Sequence, residues 1–240
     1  MALPFVAVGL FYRRGYFRQS IDADGHQNHN YFNLDPARLP LLRAVDPTGE
    51  PAMVSVELPG RTVHAAVWLV QVGRVPLYLL DSNLADNREE DQGITGQLYG
   101  GDRETRIQQE IILGIGGVRA LRALQLEPTV WHINEGHAAF LIIERCRELV
   151  EQGMDFEAAL ELVSASNVFT THTPVPAGHD SFEENLLRTY IAHYPARLQI
   201  TWNQFMNLGR FHPNPVDEKF SMILLAVKLS QQLKGVSKWH

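Results

Sequence analysis

Two short apolar runs, each followed by polar side chains, stand out in the pattern of hydrophobic and polar positions along the chain. The runs cover residues 129–133 and 167–171. Between them, from about residue 136 to 165, apolar residues recur at the three- and four-residue spacing of a helix. Strands joined by a helical crossover pair in parallel, so their carboxyl ends meet at one edge of the sheet, where open α/β sheets bind ligands. We therefore expect His137 and His172, which follow the two strands, to face one pocket.

The chain up to residue 81 is dominated by strand patterns. Residues 3–12 form a continuous apolar run rich in β-forming residues, which predicts a strand buried on both faces. The runs at 52–58, 61–72 and 75–81 are separated by turn residues, and the first two alternate between apolar and polar positions. Together they predict an antiparallel meander. The stretch 13–33 is polar with a few aromatic residues and predicts a loop or hairpin.

The chain from residue 95 onward is richer in helical patterns. The longest covers 103–124, where apolar residues repeat at three and four. Its glycine run at 114–117 lacks the spacing and the strand-to-helix position of a dinucleotide loop, so we expect it to allow close helix packing. The overall prediction is an α/β fold with a β-rich part at 1–81 and a helix-rich α/β part at 95–240.

Composition narrows the classes of function. The chain has 240 residues, of which 45% are hydrophobic and 20% charged, the balance of an ordinary globular protein. A formal net charge of -6 argues against nucleic acid as a partner, because nucleic-acid binders carry basic patches. No apolar run approaches the ~20 residues that a membrane-spanning helix requires. Cys146 is the only cysteine, which fits a reducing cytoplasm.

The polar tips after the two strands are compatible with more than one kind of site. His132, Glu135 and His137 lack the spacing of a zinc motif, so a metal site is disfavoured. No G-x-S-x-G nucleophile occurs, and Cys146 falls on the apolar face of a helix. What remains suits a ligand made of hydroxyl groups, because each hydroxyl needs a hydrogen-bonding partner once it leaves water. The polar cluster consists of Asn134, Glu135, His137, His172, Thr173, His179 and Asp180.

Helix capping is the competing explanation for part of this cluster. Asn134 or Glu135 would cap a helix after the first tip, and Asp180 or Ser181 a helix after the second. Capping accounts for Asp180 and Ser181, but it does not readily account for two histidine-bearing tips on one edge.

Five segments resemble a single enzyme family. They read VGLFYRRGYFRQ at 8–19, ITGQLYGGDRETRIQQE at 94–110, GIGGVRALRAL at 114–124, VWHINEGHAAF at 130–140 and FTTHTPVPAGHDSF at 169–182. With the tail at 220–240 they cover nearly the whole chain. In these segments the chain is similar to the α-glucan (glycogen, maltodextrin or starch) phosphorylases, specifically the shorter bacterial and archaeal type.

The resemblance implies a fold and a reaction. It makes residues 1–240 an internal portion, truncated at both ends, of the N-terminal Rossmann-like domain of a two-domain glycosyltransferase of the GT-B type, with the β meander as an insertion. The family removes the terminal α-1,4-linked glucose of a glucan with inorganic phosphate and yields glucose 1-phosphate with retained configuration. Its pyridoxal phosphate is attached to a lysine that no lysine of this chain matches. A cytoplasmic enzyme, homo-oligomeric at full length, is implied.

The resemblance also implies roles for individual residues. His172 resembles the catalytic histidine that hydrogen-bonds the 6-hydroxyl of the transferred glucose and supports the transition state. Thr173, Glu135 and His137 match residues that line the glucan subsites, and Asn134 is their neighbour in the motif.

Other matched positions concern access to the site. Gly100, Gly101 and Asp102 match the mobile gate loop over the active site, so Asp102 is expected to contact substrate. Ala177 and Gly178 stand where the larger vertebrate-type enzymes have an acidic residue, which alters the expected glucan contacts. No cofactor-binding or metal-binding residue is expected in this chain.

Two parts of the family pattern have no counterpart in this sequence, which leaves alternative functions open. The glycine-rich loop that contacts the substrate phosphate would precede residue 3, and the cofactor domain would follow residue 240. We therefore expect no turnover from this chain alone, because catalysis by positioned charges needs both walls of the cleft. A nucleotide-sugar-dependent glycan synthase and a non-catalytic glucan-binding module remain alternatives.

Overall fold

The computed structural model describes residues 3–173, 175, 179–213 and 217–236, which form a mixed α/β structure. The strands are β1 (Ala7–Leu10), β2 (Arg18–Ile21), β3 (Gln27–Asn30), β4 (Leu42–Arg43), β5 (Met53–Leu58), β6 (Arg61–Val72), β7 (Val75–Asp81), β8 (Trp131–Asn134), β9 (Asn167–Thr171), β10 (Ser181–Phe182), β11 (Phe220–Ser221) and β12 (Gln232–Gly235).

The helices include one π-helical segment. They are α1 (Glu89–Gln92), α2 (Arg103–Ile111), α3 (Gly117–Ala123), α4 (Phe140–Glu151), α5 (Phe156–Ala165), α6 (Glu184–Ile191), α7 (Tyr194–Arg197), α8 (Trp202–Leu208) and α9 (Met222–Lys228), with 3-10 turns at Pro36–Arg38 and Gly136–Ala138 and a π-helix at Ile112–Gly116. None of the helices in the described ranges is both long and apolar enough to span a membrane.

The larger sheet is mixed and is built mainly from consecutive strands. β5, β6 and β7 pair antiparallel in chain order, β4 also pairs with β6, and β1 joins β7 in parallel. In β5, Val54, Val56 and Leu58 are buried while the residues between them are more exposed, which is the alternation of a sheet with one face on the core. Gly60 and Gly73 adopt positive φ angles of 68° and 60° at the two tight turns, where a residue without a Cβ atom meets no steric penalty.

The N-terminal apolar run differs from its prediction. Only Ala7–Leu10 forms a strand, and three of its four residues are partly exposed. Leu3 and Phe5, which precede it, are exposed. Within the described ranges β1 has a single hydrogen-bonded neighbour, β7, and therefore lies at the edge of the sheet. The prediction of a strand buried on both faces is wrong, because a continuous apolar run does not reveal whether other elements cover both faces of the strand.

The smaller sheet is wholly parallel, in the order β12-β9-β8. Its register pairs Trp131 with Asn167 and Asn134 with Thr170. β8 and β9 therefore end side by side, which confirms the parallel pairing predicted for these two strands.

The crossover between β8 and β9 is divided rather than continuous. The stretch predicted as helical, 136–165, contains the second 3-10 turn, then α4, then α5. Gly153, with φ of 98°, interrupts it because this backbone conformation cannot continue a helix. Asp155 then starts α5 by accepting a hydrogen bond from the backbone N–H of Glu157 at 2.9 Å.

The glycine run lies where α4 approaches the π-helix closely. α2, the π-helix and α3 follow one another without a break. A Cβ atom on Gly114 would lie 2.8 Å from Cβ of Phe140 and 2.9 Å from the backbone nitrogen of Leu141. Only a residue without a side chain lets α4 approach this closely, which confirms the packing interpretation of the run.

The segments after the second tip pack against one another through buried aromatic rings. β10 and β11 pair Phe182 with Phe220, and the ring of Phe220 stacks on Phe205 at 5.6 Å between centroids. The backbone N–H of Met222 donates to the carbonyl of Asp180 at 3.1 Å. These buried contacts hold Asp180 in place beside the edge where β8 and β9 end.

Candidate active site

A polar pocket of about 560 Å³ lies at the carboxyl ends of β8 and β9. The backbone N–H of Glu135 donates to the carbonyl of Thr170 at 3.0 Å, so the first polar tip begins directly beside the second strand. His137 and His172 both line this pocket, as predicted from the strand pattern. Its lining residues are Tyr99, Arg106, Asn134, Glu135, His137, His172, Thr173 and Asp180.

Three charged side chains meet on one side of the pocket. Oδ2 of Asp180 lies 2.5 Å from Nη2 of Arg106 and 3.0 Å from Nδ1 of His137. Burial opposes ionisation of Asp180, but the hydrogen bonds from His137 and Arg106 outweigh it and hold the pKa of this carboxyl well below its usual range. The hydrogen bond that His137 donates to Asp180, together with the nearby carboxyl of Glu110, raises the pKa of His137 to about 9. At neutral pH the pocket therefore presents a protonated imidazole whose second ring nitrogen, Nε2, is the one left for a ligand.

A buried carboxyl group lies behind these residues. Oε1 of Glu110, on α2, is 3.7 Å from Nδ1 of His137, and within the described ranges neither oxygen of Glu110 has a hydrogen-bonding partner. Burial raises the pKa of Glu110 well above its usual value. Glu110 thus keeps its proton to a higher pH than an exposed glutamate.

Glu110, His137 and Asp180 also have the composition of a metal-ligand set, since their ligand atoms lie within 4.8 Å of one another. Arg106, however, donates to Oδ2 of Asp180, the oxygen that also contacts Nδ1 of His137. A guanidinium in that position supplies the positive charge itself, so the geometry favours an ion-pair cluster. His132, which the sequence places near Glu135 and His137, instead contacts Oγ1 of Thr170 at 2.7 Å through Nε2.

The backbone of Glu135 is strained. Its φ of 60° and ψ of -173° fall in a region that is almost confined to glycine, and residues held there cost about 1–3 kcal/mol. Its side chain is directed to the other tip, where Oε1 accepts the backbone N–H of His172 at 2.5 Å and Oε2 accepts the hydroxyl of Thr171 at 3.3 Å. Glu135 stands at the N-cap position, directly before the 3-10 turn, but its side chain makes no capping hydrogen bond there.

The remaining predicted site residues do not all lie in the pocket. Asn134 and Thr173 line the pocket, whereas Asp102 does not. Asp102 is exposed and caps α2 by accepting the backbone N–H of Thr105 at 2.9 Å. His179 contacts the carbonyl of Thr173 at 3.0 Å and so braces the second tip. Ala177 and Gly178 lie outside the described residues.

The capping interpretation of Asp180 and Ser181 is wrong. Glu183 is the residue that precedes α6, and it makes no side-chain cap. The carboxylate of Asp180 contacts Arg106 and His137 instead. Capping is a local signal, and the partners of Asp180 are distant in the chain, which is why the local interpretation failed.

Arg106 and Tyr99 are pocket residues that the sequence did not identify. The guanidinium of Arg106 lies over the ring of Tyr99, 5.8 Å from its centroid. One signal was available, because Arg106 and Glu110 are four residues apart on a predicted helix and therefore share a face. Tyr99 has a φ of 54° in a loop and gave no comparable signal.

Comparison with known proteins finds relatives along the whole chain. No protein-family model matches. Glycogen phosphorylase from Mycobacterium tuberculosis is 47% identical over 253 residues, which cover 100% of this chain and 29% of that protein. Maltodextrin phosphorylase from Thermococcus litoralis is 40% identical over 244 residues, covering 100% of this chain and 28% of that protein.

A more distant phosphorylase also matches the whole chain. Glycogen phosphorylase from Aquifex aeolicus is 28% identical over 240 residues, covering 100% of this chain and 34% of that protein. The chain thus spans about a third or less of the length of each of these three relatives. It is homologous, over its full length, to a segment of the glycogen and maltodextrin phosphorylases.

Proposed function

We propose that this chain forms one wall of the active-site cleft of an α-glucan phosphorylase. The reaction is phosphorolysis of the terminal α-1,4-linked glucose of glycogen or maltodextrin to glucose 1-phosphate with retained configuration. The observation that carries the proposal is the pocket in which His137 and His172 meet, because both belong to segments with the family's motifs and the relatives are named phosphorylases. A cavity of about 560 Å³ lined by donors and acceptors suits sugar hydroxyls, each of which needs a partner when desolvated.

The residues have separate roles in this proposal. His172 contacts the 6-hydroxyl of the transferred glucose and supports the transition state. Asn134, Glu135, His137 and Thr173 line the glucan subsites. Protonated His137 acts as a hydrogen-bond donor through Nε2, because Nδ1 is already engaged by Asp180.

The proposal also assigns a role to Asp102 and a domain type to the described strands and helices. Asp102 belongs to the gate segment, and its capping bond to Thr105 fixes the point where that segment enters α2. The described strands and helices are assigned to the N-terminal Rossmann-like domain of a GT-B glycosyltransferase, with β5 to β7 as an antiparallel insertion. The support for this assignment is the wholly parallel β12-β9-β8 sheet with its helical crossover.

Pyridoxal phosphate is proposed as a cofactor of the complete enzyme, but the residues of this chain do not fit its attachment. A Schiff base needs a lysine in the pocket, and no lysine lines the pocket within the described ranges. Nζ of Lys219 contacts Glu183 at 2.7 Å, and Nζ of Lys228 contacts the carbonyl of Asn207 at 3.0 Å. We therefore expect the cofactor lysine to lie in another part of the complete enzyme.

The decisive experiment measures product formation by the complete protein that contains this chain. Incubation with maltoheptaose and inorganic phosphate should give glucose 1-phosphate in the α configuration, and His172→Ala should abolish it. Glucan extension from a nucleotide sugar without phosphate dependence would establish the synthase alternative. The 240-residue chain alone should show no turnover, whereas oligosaccharide binding by it without any activity of the complete protein would establish a binding module.

A further inference from the structure

The backbone at Glu135 is constrained from both sides. On the amino side, its own N–H continues the β8–β9 ladder by donating to Thr170 at 3.0 Å. On the carboxyl side, Gly136 lies against α9, where an added Cβ atom would come within 3.1 Å of Ile223 and of Met222. Between the strand pairing and this close packing, Glu135 has a φ of 60° and a ψ of -173°. A glycine would adopt that conformation without strain, so the presence of glutamate calls for a reason in its side chain.

The side chain of Glu135 links the two polar tips. His172 lies just after the last residue of β9, beyond the end of the ladder with β8. Its backbone N–H is accepted by Oε1 of Glu135 at 2.5 Å, and the hydroxyl of Thr171 is accepted by Oε2 at 3.3 Å. The carboxylate therefore extends the pairing of β8 and β9 by one residue, at the position of the histidine.

We infer that Glu135 is a positioning residue whose carboxylate fixes the backbone of His172 in the pocket. Both of its oxygens contact the second tip, and the residue is only 8% exposed. These two contacts give Glu135 a role in the second tip beyond lining a glucan subsite. The inference rests on the proposed function, because it assigns Glu135 to the placement of the histidine proposed to support the transition state.

The test compares three substitutions in the complete protein. Glu135→Ala removes the carboxylate and keeps the strain, Glu135→Gly removes both, and Glu135→Gln keeps an oxygen that can accept the His172 N–H. We expect Ala and Gly to lower kcat for phosphorolysis of maltoheptaose about tenfold or more, since small misplacements of a catalytic group have large effects. The KM for maltoheptaose should stay within about twofold, and Gln should recover kcat to within about threefold of wild type.

A second measurement does not depend on activity. Hydrogen–deuterium exchange of the peptide covering 167–173 should speed up at the His172 amide in Glu135→Ala and return towards the wild-type rate in Glu135→Gln. Gln199→Gly is the matched control, because Gln199 is an exposed residue with φ of 57° that does not line the pocket. It should change neither kcat nor the exchange of this peptide.

The outcomes separate this inference from the proposed function. A Glu135→Ala protein with unchanged kcat, or with a raised KM and unchanged kcat, would show that Glu135 does not position His172. If the wild type releases no glucose 1-phosphate, the proposed function fails, and the exchange data alone decide whether Glu135 holds the His172 backbone. Unchanged exchange in Glu135→Ala overturns the inference in that case as well.

Discussion

The carboxylate of Asp180 contacts Nδ1 of His137 at 3.0 Å, although 43 residues separate the two in the chain. Asp180 follows β9, and His137 follows β8. The contact exists because the parallel pairing brings both tips to one edge and the Phe182–Phe220 pairing anchors the second tip. It gives the pocket a protonated donor at neutral pH.

Replacing Asp180 by Asn should destabilise the complete protein at neutral pH. The change leaves the half-buried charges of Arg106 and His137 without their anionic partner. A hydrogen bond to a charged group contributes about 1.5–3 kcal/mol, so we expect a loss of that size in the free energy of unfolding. Chemical denaturation of Asp180→Asn should show it, and Asp86→Asn, at an exposed position, should stay close to wild type. Equal losses in both variants would contradict the account.

The advantage of wild type over Asp180→Asn should depend on pH with a defined sign. The pKa of His137 is raised from 6.5 to about 9, so its contribution is complete below about pH 6.5 and is lost as pH rises through about 9. The pKa of Asp180 is lowered from 3.8, so its contribution is complete above that value and is lost only in stronger acid. Unfolding curves across pH should therefore show the largest difference between these limits. A difference that grows between neutral and alkaline pH would contradict the assignment.

Glu110→Gln tests the buried carboxyl group behind His137. Because burial raises the pKa of Glu110 above the ordinary 4.5, the folded state keeps a proton that the unfolded chain loses. The stability of wild type relative to Glu110→Gln should therefore be greatest below that value and fall as pH rises, with a slope of up to about 1.4 kcal/mol per pH unit. Unfolding of both proteins between about pH 5 and about pH 8 measures this slope. Glu127→Gln, at an exposed position, should show no such trend.

The strand ends of the site were predictable because their signals are local. The apolar run 167–171 coincides with β9, and the run at 129–133 overlaps β8 (Trp131–Asn134). The helical pattern of the crossover then predicts parallel pairing, which places His137 and His172 at one edge of the sheet.

The polar contacts of the site were not predictable in the same way. Arg106 and Asp180 are 74 residues apart, and no local pattern links a helix in one part of the chain to a loop in another. The strained backbone of Glu135 is a similar case, because it lies between strand pairing on one side and close packing of Gly136 on the other. Periodicity identified the elements, whereas the contacts between their ends depend on how the elements pack.

Two glycines of the helical run allow the packing argument to be tested with an internal control. A Cβ atom on Gly114 would lie 2.8 Å from Cβ of Phe140, whereas one on Gly116 would meet nothing closer than Val56 at 3.5 Å. Gly114→Ala should therefore force α4 away from the π-helix and destabilise the complete protein by about 1–3 kcal/mol. Gly116→Ala should be neutral or stabilising by up to about 1 kcal/mol, because alanine favours a helix over glycine.

Denaturant unfolding of the two variants measures the difference directly. The displacement of α4 in Gly114→Ala also reaches the pocket, because the 3-10 turn that carries His137 leads directly into this helix. We therefore expect Gly114→Ala to weaken maltoheptaose binding while Gly116→Ala leaves it unchanged. If Gly116→Ala proved as damaging as Gly114→Ala, the general loss of glycine flexibility, rather than the contact with Phe140, would be responsible.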